Sequence, residues 1–557
     1  MLKKTKYALL CSLIILSSAL LTLNAEDFSD NETLPNDEFS LSDEDKLLKE
    51  LEENSDSSEK FSRFKSELQR TFVIAGSNRH LDLNPHTSSY SNEAQIINGL
   101  QEGLFSYDPK SLEPTLAVAE SYKISRDKKR WTFTIRKNAF LSDGTEITAQ
   151  TVIDSWLLLQ KTPNAPYASL LDCIKGIKDY RENGSSAQEV GLKASGKKLT
   201  VFLNTPTAHL PRLLCHHAFA IFTGGVDVYS GAYTISSITD EKLTLTKNQN
   251  YWDKANVALN EIQILFSENK KENAWLFNTG RTDWVISTID TDILLNKNAI
   301  RISALFGTTY FFFTSRNKIW DNADFRNALI TAVPWEKLRK DNLIHATSLV
   351  YPLSGYPQVE GLSETSDDEA IELMEEARKK YGIPDDEILE ISFGIADNDY
   401  MKELAGYLKE AWAVLGVNLV PFKISEDQYL SSIPYLNYDI FSYSWIGDFA
   451  DPLAFLELFR EGSTLNQTKW KNANFTELLN KADITTDAIE RYKILSQAEQ
   501  VLLDDGVIMP ISHSVSLHAI NLQEIGGWYT NAMDIHPFKY IYFKDYKTPQ
   551  TQTIVLN

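Results

Sequence analysis

The sequence predicts an α/β protein of more than one domain. Three observations carry this. Segments with strand character alternate with segments of helical period along most of the chain, without an internal repeat. About 490 residues remain after an N-terminal signal-like stretch and an acidic stretch, too many for one simple core. The apolar content of 43% and aromatic content of 11% suit packed globular domains.

The elements follow in chain order. Lys3, Lys4 and Lys6 precede an apolar run from Leu9 to Leu23, and Ala25 gives a small residue for cleavage. This is the layout of a secretory signal over residues 1–25. The run is short for a bilayer span of about 20 residues, with a permanent N-terminal anchor as the competing reading. Cys11 lies inside the run behind Leu10, so a lipid anchor there is not expected. Residues 26–70 are acidic and small-polar, which reads as a disordered tether with room for one capped helix at Ser42–Leu51.

The folded part begins with the β-rich TFVIAG from Thr71. Trp131–Arg136 alternates apolar and polar residues as a half-buried strand does. A turn at Asp143-Gly144 follows, and Thr148 caps a helix with Val152, Trp156 and Leu159 on one face. Leu199–Leu203 and Lys242–Asn248 read as strands. Glu369–Tyr381 and Tyr400–Leu415 read as amphipathic helices, the second ending at Gly416 before the strand VNLVPFKI. Asp439–Trp445 is β-rich.

Composition and motifs narrow the function. A net charge of −21 argues against a general nucleic-acid binder, because phosphate neutralisation needs a basic face. Gly191–Lys198 has Lys where a phosphate-binding loop needs Ser or Thr after Gly-Lys, and it precedes a strand as a hairpin turn would. Cys215-His216-His217 offers metal-ligand types, but adjacent residues rarely converge on one ion, so a structural role is favoured. Only Cys173 and Cys215 remain after the signal, and the residues leave pairing or free thiols open. No nucleophile elbow, HExxH pair or Gly-rich dinucleotide loop is present, and an enzyme is not expected.

The segment Ser442–Phe459 carries the main candidate. Asp451 suits a helix N-cap with Pro452 at the first helical position. Asp448 has no such duty and sits among Tyr443, Trp445 and Phe449. A carboxylate desolvated by aromatics needs a cationic partner. A ligand ammonium, a distant Lys or Arg, or exposure in a turn would each answer this.

Landmarks in order then mark a family: LDLNPH, GLQEGLFSYDP, PTLAVAESY, WTFTIRKNAFLSDGTEITAQTVIDSW, PYASLL, SGAYTI, NYWD, DFRNAL and WIGDFADP. From about Thr71 onward the chain resembles the family 5 extracellular solute-binding proteins, the peptide-binding proteins of ABC transporters. The resemblance implies a type II periplasmic binding protein, with two lobes joined by a hinge and an extra domain in the first lobe. The implied parts are residues 71–101, 223–305 and 539–557 for lobe I, 102–222 for the inserted domain, and 306–538 for lobe II.

The resemblance also implies short peptides as ligands, with the α-ammonium paired to Asp448. It implies main-chain pairing along Tyr443, Ser444, Trp445, Ile446 and Gly447, with Trp445, Tyr167 and Tyr310 as aromatic lining. ABC permease and ATPase subunits are the implied partners, with an extracytoplasmic location, a monomeric state and no cofactor or metal. The departures are Ser442 where some members carry Arg, Ser89 near an expected acidic position, Asp427 or Gln428 at a Trp position, and a short stretch between Phe222 and Gly231. WIGDFADP looks closer to dipeptide-type members. The alternatives are a non-peptide ligand such as a nickel chelate or haem, or a non-transport peptide-sensing or chaperone-like role.

Overall fold

A computed structural model describes residues 71–77, 81–207, 209–225, 227–449 and 451–544. The expected signal, the tether, Cys11 and the stretch 545–557 lie outside the described residues, as does the side chain of Asp427.

The strands in chain order are β1 (Phe72–Gly76), β2 (Phe105–Tyr107), β3 (Pro114–Leu116), β4 (Ala119–Ile124), β5 (Arg130–Ile135), β6 (Leu192–Ser195), β7 (Lys198–Phe202) and β8 (Tyr233–Ile238). Then come β9 (Lys242–Lys247), β10 (Glu261–Phe266), β11 (Trp284–Ile286), β12 (Ile300–Phe313), β13 (Leu389–Ala396), β14 (Val417–Ile424), β15 (Ile440–Ile446) and β16 (Ile508–Ile520). One mixed sheet runs β14-β13-β15-β12-β16-β11-β1-β10-β9-β8. A separate four-stranded sheet, β4-β5-β7-β6, forms the body of the segment expected as an insertion.

Local chemistry explains these elements. Thr148 accepts the Thr151 N–H and starts the helix Ala149–Lys161, whose Val152, Trp156 and Leu159 are buried as their spacing predicts. The helix Asp367–Tyr381 has Asp367, Asp368 and Glu369 in its first turn and Arg378, Lys379 and Lys380 in its last, complementing its dipole. Gly382 ends it with φ 71°, a conformation that costs a Cβ-bearing residue free energy. The turn at Gly196, φ 57°, joins β6 to β7, so the phosphate-loop look-alike is a hairpin.

Among the described residues the three largest of four apolar clusters hold the fold. One gathers Phe72, Tyr233, Leu243, Ile262 and Trp284 on the β8–β11 side. Ile520, Ile525 and Trp528, from the stretch expected in the second lobe, join this same cluster. Another gathers Phe311, Trp320, Ile391, Leu408 and Trp412 around β13 and β14. A third runs from Trp131, Phe133 and Trp156 of the insertion to Phe306, Phe449 and Phe455.

The long strands β12 and β16 connect the two halves of the sheet. Their antiparallel register shifts between Ala304 and Thr308. At the shift Phe306 donates its N–H to Ala532 O (2.6 Å) and accepts from Gly447 N (2.8 Å). The insertion meets the far half through polar contacts: Thr464 N donates to Ser169 Oγ at 3.0 Å, and Asn164 Nδ2 donates to Tyr435 Oη at 2.6 Å. Cys173 and Cys215 are free thiols.

Candidate ligand-binding site

The site is built where β15 leaves the sheet. On one side β15 pairs with β12 from Ile440 to Ile446. On the other it meets β13 only at Phe393↔Ile440, after which the two strands part. Past Ile446 the chain turns at Gly447. A Cβ there would lie 2.6 Å from the Phe306 ring, so only glycine lets the backbone approach this closely.

The turn carries Asp448 into the interior, its side chain 8% exposed. Tyr107 Oη donates to its main-chain oxygen at 3.1 Å. Burial shifts the carboxyl upward, and the Tyr167 phenol offsets part of that shift. His216 Nε2 lies 3.3 Å from Asp448 Oδ1. His216 Nδ1 accepts the Ala218 N–H at 3.2 Å, so a neutral ring carries its proton on Nε2, facing the carboxylate. Burial holds the imidazole down to about 3 and pushes the Asp448 carboxyl well above the usual carboxylate range. No Lys or Arg forms an ion pair with Asp448 among the described residues.

Asp451, three positions on, provides the contrast. Its Oδ2 pairs with Arg491 Nη1, and its Oδ1 accepts from Leu453 N at 2.9 Å. The helix spans Leu453–Leu456, with Pro452 at its N-cap. The expected cap at Asp451 therefore sits one residue further out. It still satisfies an orphan N–H, while its second oxygen goes to Arg491. Two buried carboxylates share one turn, and only Asp451 has a permanent cation.

The other expected site residues group around this point. Tyr443 and Trp445 are half-buried with ring centroids 6.4 Å apart. Tyr167 stands 6.4 Å from Trp445 and 4.3 Å from His216. Trp445 Nε1 donates to Ala454 O at 3.1 Å, which fixes its indole. Ser444 is exposed, its Oγ accepting from Thr309 Oγ1 at 3.1 Å, and Ile446 is half-buried. Tyr310, opposite Tyr443 in the ladder, is buried against Tyr443 and Phe459 and packs in the core beneath the site.

Sequence reasoning missed His216 and Tyr107. His216 was read as structural, with a metal-ligand role as the alternative, and Tyr107 stood unremarked inside GLFSYDP.

A second polar cluster joins His518, Asp534 and His536, whose donor atoms lie within 4.8 Å of one another. Trp284 Nε1 donates to His518 Nδ1 at 3.2 Å, so the neutral ring's proton is on Nε2, which points at Asp534 Oδ1 at 2.8 Å. A metal-bound histidine needs the reverse, a lone pair towards the ion and an N–H outward. The cluster is a hydrogen-bond network that braces β16, with the Asp534 carboxyl held below its ordinary range by its two histidines.

A sheet in two halves joined by long strands, with an inserted domain meeting the far half over a buried carboxylate, defines a type II periplasmic binding protein. The chain belongs to the bacterial extracellular solute-binding proteins, family 5, whose middle region matches residues 113–467. It is 26% identical over 463 residues to the oligopeptide-binding protein OppA of Bacillus subtilis, covering 77% of this chain and 85% of that one. It is 24% identical over 507 residues to the dipeptide-binding protein DppE of the same organism, covering 86% and 91%. The Haemophilus influenzae OppA structure in complex with RPPGFSPFR superposes with a TM-score of 0.74 at 22% identity, over 86% of this chain and 99% of that one.

Proposed function

We propose that this protein captures short peptides outside the cytoplasmic membrane and passes them to the permease and ATPase of an ABC importer. The signal-like residues 1–25 support export, and among the described residues no helix is long and apolar enough to cross a membrane. The names of its relatives support a peptide ligand.

The observation that carries the reading is Asp448: a buried carboxylate with no Lys or Arg partner among the described residues, at the end of a strand whose outer edge is open. A buried carboxylate is compensated by a charge partner or by its own protonation. A peptide α-ammonium supplies the charge. The open edge supplies main-chain hydrogen bonds that hold a peptide without reading its side chains, with Tyr443, Trp445 and Tyr167 packing beside it. In this reading the two halves close over the peptide about the register shift in β12 and β16.

One observation favours a non-peptide chelate instead. Both ring nitrogens of His86 and Nε2 of His217 are buried without hydrogen-bond partners among the described residues. Against it, the group of three donors within 4.8 Å includes neither histidine. Native mass spectrometry of protein purified without refolding decides. Released masses in the short-peptide range support the peptide reading; a stoichiometric metal chelate or haem mass overturns it.

A further inference from the structure

The fork between β13 and β15 is filled by one side chain. Beyond Phe393↔Ile440, β13 stays with β14 and β15 stays with β12, leaving a widening gap. Tyr429, from the short helix Tyr429–Ser432, enters that gap. Its hydroxyl donates to Gly394 O on β13 at 2.8 Å and accepts the Ser442 N–H of β15 at 2.9 Å. It also lies 3.0 Å from Ser442 Oγ. The ring is buried. Displacing it would leave a buried carbonyl and a buried N–H unsatisfied, which holds the ring in place.

This fixes how much strand edge a ligand finds. Backbone groups of a strand alternate between its two neighbours. Gly447 N–H points to Phe306 O on the β12 side, and Ser442 N–H points outward to Tyr429. The outward residues after Ser442 are therefore Ser444 and Ile446. No ladder partner takes their outer groups among the described residues, and Ser444 is exposed. Asp448 lies just past them. A peptide with its amino end at Asp448 must run back along β15, antiparallel to it. Its first residues lie beside Ile446, and about its third lies beside Ser444. A residue about two further along would need the Ser442 N–H, which Tyr429 already holds.

We propose that Tyr429 is a length stop: by plugging the fork between β13 and β15 it confines main-chain pairing to Ser444 and Ile446, so the site holds the first three residues of a peptide and gains no affinity from those beyond. The inference rests on the peptide reading above and adds the ligand's length. A structural role for Tyr429 alone, bracing two diverging strands, would fill the fork without limiting ligand length.

Isothermal titration of the full chain with alanine homopeptides of two to six residues separates the cases. The stop predicts that affinity stops rising at trialanine, with longer peptides within about threefold of it. Tyr429→Ala opens the fork and should let pentaalanine bind about tenfold tighter than trialanine. Tyr429→Phe keeps the ring and frees the Ser442 N–H and the Gly394 carbonyl, so it should give a smaller gain in the same direction. It serves if the alanine variant does not fold. Wild-type affinity that climbs about tenfold from trialanine to pentaalanine overturns the stop while leaving the peptide reading intact. A plateau unchanged in the variants also overturns it. Failure of every peptide to bind overturns the peptide reading and this one with it.

Discussion

Asp448→Asn keeps the shape of the side chain and removes its charge, and its effects on the ligand and on the empty protein should separate. In the empty protein, burial drives the carboxyl towards its neutral form, so a neutral amide fits the same place. Between the ordinary carboxylate value of 3.8 and the raised folded value, the folded state holds a proton that the unfolded chain has lost. Stability therefore declines as pH rises across that window, and the amide removes the decline. At pH 7 the empty variant should be at least as stable as the wild type. With a peptide bound, the same change leaves an ammonium buried without its counter-charge, a loss of about 3–5 kcal/mol. That is about two to three and a half orders of magnitude in Kd. Titration calorimetry with trialanine reads the affinity and urea unfolding reads the stability. Unchanged affinity refutes the anchor. An empty variant destabilised by more than about 2 kcal/mol refutes the claim that no permanent cation compensates Asp448.

Three further outcomes follow from the same structure. Asp451→Asn should behave in the opposite way, destabilising the empty protein by about 3–5 kcal/mol, because Arg491 loses its buried partner; urea unfolding checks it. Glu499 accepts from Leu349 N, Val350 N and Tyr356 Oη and is pushed up by burial to about 7. A raised carboxyl lowers stability as pH rises from its ordinary value of 4.5 through about 7, so Glu499→Gln should flatten part of the pH slope of unfolding across that window. Small-angle scattering should show compaction on adding trialanine, with the hinge at the β12–β16 register shift absorbing the motion; an unchanged radius of gyration counts against closure.

What the sequence revealed and what it hid divide along the range of the interactions. Elements with local signals stand close to where they were expected: the strand expected at Trp131–Arg136 is Arg130–Ile135, and VNLVPFKI is β14 from Val417 to Ile424. The helix after Asp451 spans Leu453–Leu456, and Asp451 still accepts the Leu453 N–H as a cap does; what the sequence hid is that Arg491, forty positions away, takes its other oxygen. Asp448 was legible because its neighbours are aromatic and no local cation follows. Its real surroundings were not, since Tyr107, Tyr167 and His216 come from a segment more than 200 positions earlier. Cys215-His216-His217 was tested for metal geometry, and nothing local pointed His216 at a carboxylate. Tyr429 was invisible for the same reason: its role exists only where two distant strands diverge.

The amino end of a bound peptide should compensate the buried charge of Asp448. A matched pair, trialanine and its N-acetylated form, tests this most directly, because acetylation removes the ammonium and leaves the remaining chain for β15. Acetylation should weaken binding about a hundredfold or more by titration calorimetry. Equal affinity for the two peptides would contradict it.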